Sequence, residues 1–300
     1  MDKLVECVPN FSEGRDKAVL RGITEMLSYV KGAQLLDCSA DPDHNRSVFT
    51  VLGEPEAVCE AVFKATSFAF RHIDLSWHEG EHPYIGVADV IPFVPYRNMT
   101  MAEAVQLAET LGQKLADKIH IPVYLYEEAA RDPRRKNLAD IRRGGFDGLE
   151  EKMADPFWKP DFGPCAPHPT FGAAVVGARW FLIAYNVNLN CNNINVAKEI
   201  AKKIRQSSGG LPHVKAIAID LAGKNMVQVS CNLTDYRVTP IHVVFEAIKK
   251  EAAALGVEVV ASEIIGLPPM AAIAQTAGHY LELPGFTAAD ILEDRMLNSE

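Results

Sequence analysis

The residues with the clearest capacity for chemistry form one short string, His78-Glu79-Gly80-Glu81-His82. The string satisfies the zinc-peptidase pattern H-E-x-x-H, in which a helix carries two imidazoles to one metal ion. Glycine inside the string weakens a helix, and Pro83 disfavours the helical conformation of the residue before it. We therefore expect a loop here, and a zinc peptidase remains an alternative that bound zinc would support.

A loop with this composition suits general acid–base catalysis. A neutral imidazole titrates near physiological pH, and a nearby carboxylate can orient its ring. Residues 76–86 supply both groups just before an apolar run that begins at Val87. The alternative is a solvated surface loop whose histidines titrate freely.

Two further regions could bind a substrate near the first predicted elements. The segment Pro9 to Gly14 leads from a short apolar run into a helix, so Asn10, Ser12 and the first helical amides could hold a carboxylate or phosphate. The alternative there is an ordinary helix N-cap. Other polar candidates lie in the next predicted strand and in the turn region that follows it: Asp37, Asp41, Asn45 and Arg46. Arg46 could form a two-point pair with a carboxylate, or an ordinary surface salt bridge.

A proline-rich segment, Asp155 to Gly172, predicts a long ordered loop or a linker, because proline does not fit regular elements. From Asp161 onward it could offer exposed amides to a planar heterocycle, with Phe162 and Phe171 as a flat apolar wall. The alternative is a linker that packs its own aromatic rings over the core.

The elements that must position these residues follow the order βαββαβ twice, which is typical of ferredoxin-like folds. Alternation and apolar runs predict strands at Leu4–Val8, Gln34–Ala40, Ser47–Leu52 and Val87–Val94, and again at Phe181–Leu189, Val214–Leu221, Met226–Leu233 and Val257–Ile265. Apolar residues at helical spacing predict the two helices of each copy. Between the two copies, a capping box at Thr100 and Glu103 begins another helix, and Pro122–Tyr126 is a further strand. The sequence therefore predicts an α+β fold.

Length and composition exclude several classes of protein. The 300 residues are 48% hydrophobic and 23% charged, and a formal charge of -9 argues against a broad contact with nucleic acid. No apolar stretch approaches the ~20 residues of a membrane helix, and the N-terminus lacks a signal peptide, so we expect a cytoplasmic protein without membrane contact. Six scattered cysteines without a C-x-x-C pair argue against disulfides and a thiolate zinc site.

Specific strings occur in order along nearly the whole chain: Val5-Glu6-Cys7-Val8-Pro9-Asn10-Phe11-Ser12-Glu13-Gly14, Gly80-Glu81-His82-Pro83, Asp89 to Pro95, Pro122 to Tyr126, Pro160 to Pro164, Gly177-Ala178-Arg179 and Val229 to Tyr236. Together they resemble the glutamate formiminotransferase family, and the first two strings are the most specific. The resemblance implies transfer of the formimino group from N-formimino-L-glutamate to N5 of tetrahydrofolate, with release of L-glutamate, in histidine degradation.

The resemblance also implies an architecture and a site. Two ferredoxin-like subdomains, here 1–178 and 179–300, would pack around a substrate cleft, usually in a homodimer, with tetrahydrofolate as co-substrate and no metal ion. The family's catalytic histidine falls on His82. Its folate-contacting loop falls on Gly163, Pro164, Cys165, Ala166, Pro167, His168, Pro169, Thr170, Phe171 and Gly172.

In the implied mechanism, N5 attacks the formimino carbon, and neutral His82 accepts the N5 proton before a proton returns to the departing glutamate nitrogen. Glu79 or Glu81 could orient the ring. Both substrates carry carboxylates, so the acidic chain needs local cations, for which Arg46, Arg71 and Arg179 are candidates. The expected substrate-binding residues are Asn10, Ser12, Asp37, Arg46, Glu79 and Arg179.

The chain departs from the family pattern in three places. Animal-type members carry an acidic residue two positions after Asp37, where this chain has Ser39, so a proton relay through that carboxylate is not expected. Phe171 replaces a tryptophan of some members, which would alter a stacking surface. Animal members append a cyclodeaminase domain, and this chain ends at Glu300, so a deaminase step would belong to a separate protein.

Two alternatives stay open within these patterns. One is formyl transfer from 5-formyltetrahydrofolate to glutamate, because formyl and formimino groups differ only by oxygen in place of NH. The other is a folate-binding protein without turnover, against which the intact Gly80-to-Pro83 string argues.

Overall fold

The computed structural model describes residues 3–80, 82–221 and 223–298. Glu81 of the polar loop and Ala222 of a predicted turn lie outside the described residues, as do both ends of the chain. The chain divides into unit 1, Met1–Arg179, and unit 2, Trp180–Glu300, each built on its own sheet. Each sheet is combined with helices, which confirms the α+β class.

Unit 1 contains the strands β1 (Leu4–Cys7), β2 (Asn10–Phe11), β3 (Ala33–Asp41), β4 (Arg46–Gly53), β5 (Ala88–Arg97), β6 (Val123–Glu127) and β7 (Ala174–Ala178). Strands β1 and β2 form one interrupted row that pairs antiparallel with β4 on one side and β5 on the other. Strand β3 adds antiparallel to β4, which completes the split βαβ arrangement expected from the sequence. Beyond β5, strands β7 and β6 extend the sheet in parallel.

The helices of unit 1 are α1 (Lys17–Ser28), α2 (Pro55–His72), α3 (Met101–Ile119), α4 (Leu138–Arg142) and α5 (Leu149–Ala154). The first three cover one face of the sheet, where Ile23, Val62 and Leu111 join a buried core with Phe93. On the opposite face, α4 and α5 pack over the end of the sheet that contains β6. The capping box predicted at Thr100 begins α3.

Unit 2 contains β8 (Ile183–Leu189), α6 (Ile194–Ile204), β9 (Val214–Leu221), β10 (Met226–Leu233), α7 (Ile241–Ala254), β11 (Val259–Ile265), α8 (Met270–Tyr280) and α9 (Leu292–Asn298). Its strands lie in the order β11-β8-β10-β9, and each neighbouring pair is antiparallel. The first and third strands of the repeat are therefore central, as in unit 1. The predicted repetition of the βαββαβ order is confirmed.

Two observations concern the segments that the sequence patterns left irregular. The proline-rich segment holds only a short 3₁₀ turn, Pro156–Trp158, and then continues as a loop, as expected. Strand β7 follows directly and was not predicted, because its five residues are all buried and show neither alternation nor helical spacing. Within the described residues, no helix combines the length and apolar character needed to cross a bilayer.

Candidate functional site

The polar loop is not helical. A 3₁₀ turn at Leu75–Trp77 ends before His78, and residues 78–80 and 82–85 have no regular structure. The ring of His78 lies edge-on to Tyr84 at 4.5 Å between centroids, and the ring of His82 lies edge-on to a different ring, that of His44, at 6.4 Å. The four described residues of the zinc-peptidase string are therefore not helical, as predicted. Among the described residues, no group of three or more His, Cys, Asp or Glu side chains is arranged to hold a metal ion.

The turn between β3 and β4 holds this loop in place. The side chain of Asn45 accepts from the Gly14 amide at 2.9 Å and donates to the Glu79 carbonyl at 3.0 Å. Gly80 approaches the same turn so closely that a Cβ would stand 2.4 Å from the carbonyl oxygen of His44. Only glycine fits there without moving backbone, so the loop that contains His82 has a fixed path past this turn.

The first string of the chain supports the loop from the other side, but not as a helix terminus. Helix α1 begins at Lys17, and the Asp16 carboxylate already accepts from the first amides of that helix. Asn10 belongs to β2, and Ser12 donates from its hydroxyl to the Gly86 carbonyl at 2.9 Å. Neither Asn10 nor Ser12 therefore lies at the helix N-terminus, where the sequence predicted either an anion site or an N-cap. Both side chains are buried and act on the structure around the loop.

His82 lies in a positively charged surrounding. Burial lowers its pKa to about 3, and the positive charges of Arg46 and Arg142, with that of His44, act in the same direction. A hydrogen bond with the backbone of Pro83 opposes the shift. The imidazole is therefore neutral throughout the physiological range, as a general base must be before it accepts a proton.

The two arginines reach this place from different elements. Arg46 begins β4 and donates to the side-chain oxygen of Asn10, which gives that buried amide a positioning role. Arg142 ends α4 and forms an ion pair with Asp89, whose other oxygen accepts from the Ile85 amide at 3.0 Å. Sequence reasoning found Arg46 but missed Arg142, because the basic run that contains it offers several equivalent arginines.

Lys152 fixes the end of α4 from which Arg142 extends. Its ammonium donates to three backbone carbonyls, those of Asp140, Ile141 and Arg143, at 2.6, 2.5 and 3.0 Å. Burial lowers the pKa of this lysine to about 8. A cation near the last carbonyls of a helix is stabilising. Lys152 therefore positions Arg142 through the backbone.

The carboxylate expected to orient His82 is not found at Glu79. That side chain is exposed and makes no hydrogen bond or ion pair with a described residue; only its backbone carbonyl is used, by Asn45. The structure therefore does not place the exposed Glu79 side chain as the carboxylate that orients His82, and Glu81 lies outside the described residues. A different carboxylate, that of Asp41, contacts His44 Nδ1 at 2.7 Å.

The predicted folate loop, Gly163–Gly172, is joined by backbone hydrogen bonds to the residues that flank the polar loop 76–86. Because it contains His82, that polar loop is called the His82 loop below. The amides of Leu75 and Val87 donate to the carbonyls of Thr170 and Phe171, both at 2.9 Å. His168 and Gly172 exchange backbone hydrogen bonds at 3.0 and 2.8 Å, which closes a tight turn. The structure therefore brings the two loops that the sequence singled out into direct contact, while residues 163–166 remain exposed.

Phe171 cannot form a stacking surface. It is fully buried, and its ring lies 5.8 Å from that of Phe70 on α2, within the main core of unit 1. Phe162 packs on Gly112 of α3, with the Arg131 guanidinium 4.6 Å from its ring centroid. The predicted wall of two exposed rings is wrong, because the tight turn directs Phe171 inward. A tryptophan at this position would change the core.

A second buried cluster joins Arg179 to two residues that sequence reasoning missed. Glu6 is only 9% exposed, and burial raises its pKa to about 7, although the Arg179 charge opposes the rise. Burial raises the pKa of Tyr126 to about 12, and a hydrogen bond with Arg179 opposes that shift too. A single acidic residue inside the apolar strand Leu4–Val8 was the available signal for Glu6.

Two remaining candidates lie away from this cluster. Asp37 on β3 pairs with Thr50 of β4. Thr50 lies on the same face of the sheet as Arg46, four residues further along β4. Ser39 lies between them on that face, opposite Val48, and Asp41 lies directly opposite Arg46. Arg71 is exposed in the last turn of α2, which packs on the opposite face, so the structure does not bring it to His82.

Comparison with known proteins gives one consistent result. Residues 4–179 match the formiminotransferase domain, N-terminal subdomain, and residues 184–295 match the formiminotransferase domain. A glutamate formimidoyltransferase of Thermoplasma acidophilum is 48% identical over 98% of this chain and 97% of its own length, and one of Streptococcus pyogenes is 43% identical over 99% and 100%. A formimidoyltransferase-cyclodeaminase of Mus musculus is 44% identical over 94% of this chain, which spans 53% of that protein.

Proposed function

Because the chain belongs to the formiminotransferase domain family, we propose that it transfers the formimino group of N-formimino-L-glutamate to N5 of tetrahydrofolate and releases L-glutamate. The observation that carries the proposal is the match over nearly the full length of two relatives named glutamate formimidoyltransferase. The family resemblance expected from the strings is confirmed. Neither formyl transfer nor binding without turnover gains support from these relatives.

His82 is the proposed general base. As N5 bonds to the formimino carbon, its proton passes to the neutral imidazole; the bond between that carbon and the glutamate nitrogen then breaks, and the imidazolium returns the proton to that nitrogen. The products are 5-formiminotetrahydrofolate and glutamate, so atoms and charge balance. The low pKa of His82 supports the first half of this role, since the ring is unprotonated when the substrates arrive.

Folate would contact the exposed part of the loop Gly163–Gly172. Residues 163–166 offer accessible backbone groups, while Phe171 and Gly172 are buried and hold the loop in place. Gly163 has φ +84°, and a Cβ there would stand 2.3 Å from the Ile121 carbonyl oxygen, so the path of the loop depends on glycine. We assign substrate contact to this exposed stretch, and a supporting role to the buried end.

Three further parts of the proposal rest on the resemblance. The enzyme would act in histidine degradation in the cytoplasm, the two subdomains 1–178 and 179–300 would act together, and two copies would form a homodimer. Sedimentation of the purified chain tests the dimer, since a mass of 32.9 kDa would exclude it.

Turnover of N-formimino-L-glutamate with tetrahydrofolate, followed by absorbance, tests the central proposal. His82→Ala should lower kcat by a factor of about 10² to 10⁴. The matched control is His72→Ala, which removes an exposed imidazole at the end of α2 and should leave kcat unchanged. Turnover of only 5-formyltetrahydrofolate with glutamate would replace the named reaction by formyl transfer. Folate binding without either reaction would make the chain a carrier.

A further inference from the structure

Two arginine side chains act on His82, and they differ in their partners. Arg142 is paired with Asp89, whereas Arg46 donates only to the neutral side chain of Asn10 and forms no ion pair with a described residue. Burial, together with the charge of Arg142, lowers the pKa of Arg46 to about 10. Among the described residues, no carboxylate forms an ion pair with Arg46, although the charges of Asp89 and Asp41 oppose the lowering of its pKa.

Both arginines also keep an unused donor. The Nε atoms of Arg46 and Arg142 are buried and have no hydrogen-bond partner among the described residues. Leaving a buried charged donor unpaired is costly, so such groups normally face a ligand or an ion pair. A guanidinium matches a carboxylate with two parallel hydrogen bonds, which makes a carboxylate the best-fitting ligand.

We propose that Arg46 and Arg142 bind a carboxylate of the glutamate part of the substrate, and that this binding makes His82 a stronger base. This inference rests on the proposed function, because it assigns the same site its substrate contact. Glutamate and its formimino derivative are both anionic near neutral pH, so a carboxylate of either could pair with the two guanidinium groups.

The coupling follows from which groups face the imidazole. The arginines approach from β4 and α4, His44 from the turn between β3 and β4, and Asp89 from β5 through its pair with Arg142. Burial is the largest cause of the low pKa of His82, and a ligand does not remove it. A carboxylate bound by the arginines would offset the remaining part, and an opposite charge within about 4 to 6 Å of an imidazole raises its pKa by about 1 to 3.

A titration of the histidine rings by NMR tests this directly. The ring signal of His82 is assigned by its loss in His82→Ala, and its pKa is measured in the free protein, with saturating L-glutamate, and with uncharged glutaramide. We expect the lowest histidine pKa in the free protein, a rise of about 1 or more with L-glutamate, and no change with glutaramide.

Substitutions separate the site from general damage. Arg142→Gln should weaken L-glutamate binding at least 10-fold and raise the pKa of His82 in the free protein, whereas Arg142→Lys should keep that pKa low. The control is Arg143→Gln, which removes the adjacent, exposed guanidinium and should change neither. The inference would be overturned if the pKa of His82 did not change when L-glutamate binds. It would also be overturned if Arg142→Gln bound L-glutamate as tightly as the wild type. Formimino transfer by the wild type decides the proposed function separately.

Discussion

Gly172 joins the folate loop to the His82 loop, and its substitution tests that connection. Gly172 has φ +75°, and an added Cβ would stand 2.1 Å from the carbonyl oxygen of Ile85. That carbonyl accepts from the Ala173 amide at 2.9 Å, immediately beside the bridge between Gly86 and Gly172. Backbone rather than a flexible side chain would have to move, and both loops would move with it.

Gly145 provides the comparison needed to work out the size of the effect. It also lies in unit 1 and has a positive φ, +65°. The nearest atom to an added Cβ, however, is the backbone carbonyl oxygen of Tyr84, at an ordinary contact distance of 3.8 Å. Gly145→Ala should therefore cost only the left-handed conformation, about 1 to 2 kcal/mol, partly offset by the lower entropy of the unfolded chain. Gly172→Ala adds the displacement of packed backbone, for a total of about 2 to 4 kcal/mol.

Urea unfolding of both variants measures these costs, and binding of tetrahydrofolate measures the functional effect. Gly172→Ala should be the more destabilised variant, and its folded protein should bind tetrahydrofolate more weakly than Gly145→Ala does. Equal destabilisation of the two variants would refute the close approach at Ile85. Destabilisation without loss of folate affinity would refute the link between the two loops.

Three further predictions follow from the buried groups. The acidic limb of kcat/KM should lie well below pH 6.5, because burial and two arginines lower the pKa of His82 in the free enzyme; a limb near 6.5 would contradict this. Burial raises the pKa of Glu6 to about 7 in the folded protein, whereas in the unfolded chain it stays near 4.5. The free energy of unfolding of the wild type should therefore fall as pH rises from about 4.5 to 7. The free energy of unfolding of Glu6→Gln, measured with urea, should therefore rise by about 2 to 3 kcal/mol relative to that of the wild type between pH 4 and 8. If the difference between the two proteins stayed constant with pH, ionisation of Glu6 would be excluded. Phe171→Trp should lose about 1 to 3 kcal/mol through overpacking without gaining folate affinity, and tighter folate binding would show that the ring reaches the ligand.

The sequence predicted the regular elements well because their patterns are local. Helix α3 is announced by its capping box, and β4 by apolar residues bounded by turn residues. Strand β7 was not predicted because its burial depends on the elements that cover it. Its five small apolar residues show no periodic alternation of apolar and polar positions. Its place between β5 and β6 is a fact of tertiary structure that no local pattern encodes.

The site was predictable only in part, for a related physical reason. His82, Arg46 and the loop before β7 stood out by residue type, but their neighbours depend on long-range contacts. Glu79 lies three residues before His82 in sequence, yet its side chain is exposed to solvent. Arg142, 60 residues beyond His82 in the chain, is brought to it by the fold.

The connection between β6 and β7 explains why these features coincide. A ferredoxin-like unit ends at β5, and the parallel pair β6–β7 requires a long crossover instead of a tight turn. That crossover, residues 128–173, contains α4 with Arg142, Lys152 that holds the end of α4, and the loop proposed to contact folate. It packs through α4 and α5 on the face opposite α1, α2 and α3, the face on which Arg46 lies. The extension of the sheet thus supplies, in one segment, an arginine and a loop that the βαββαβ unit alone does not contain.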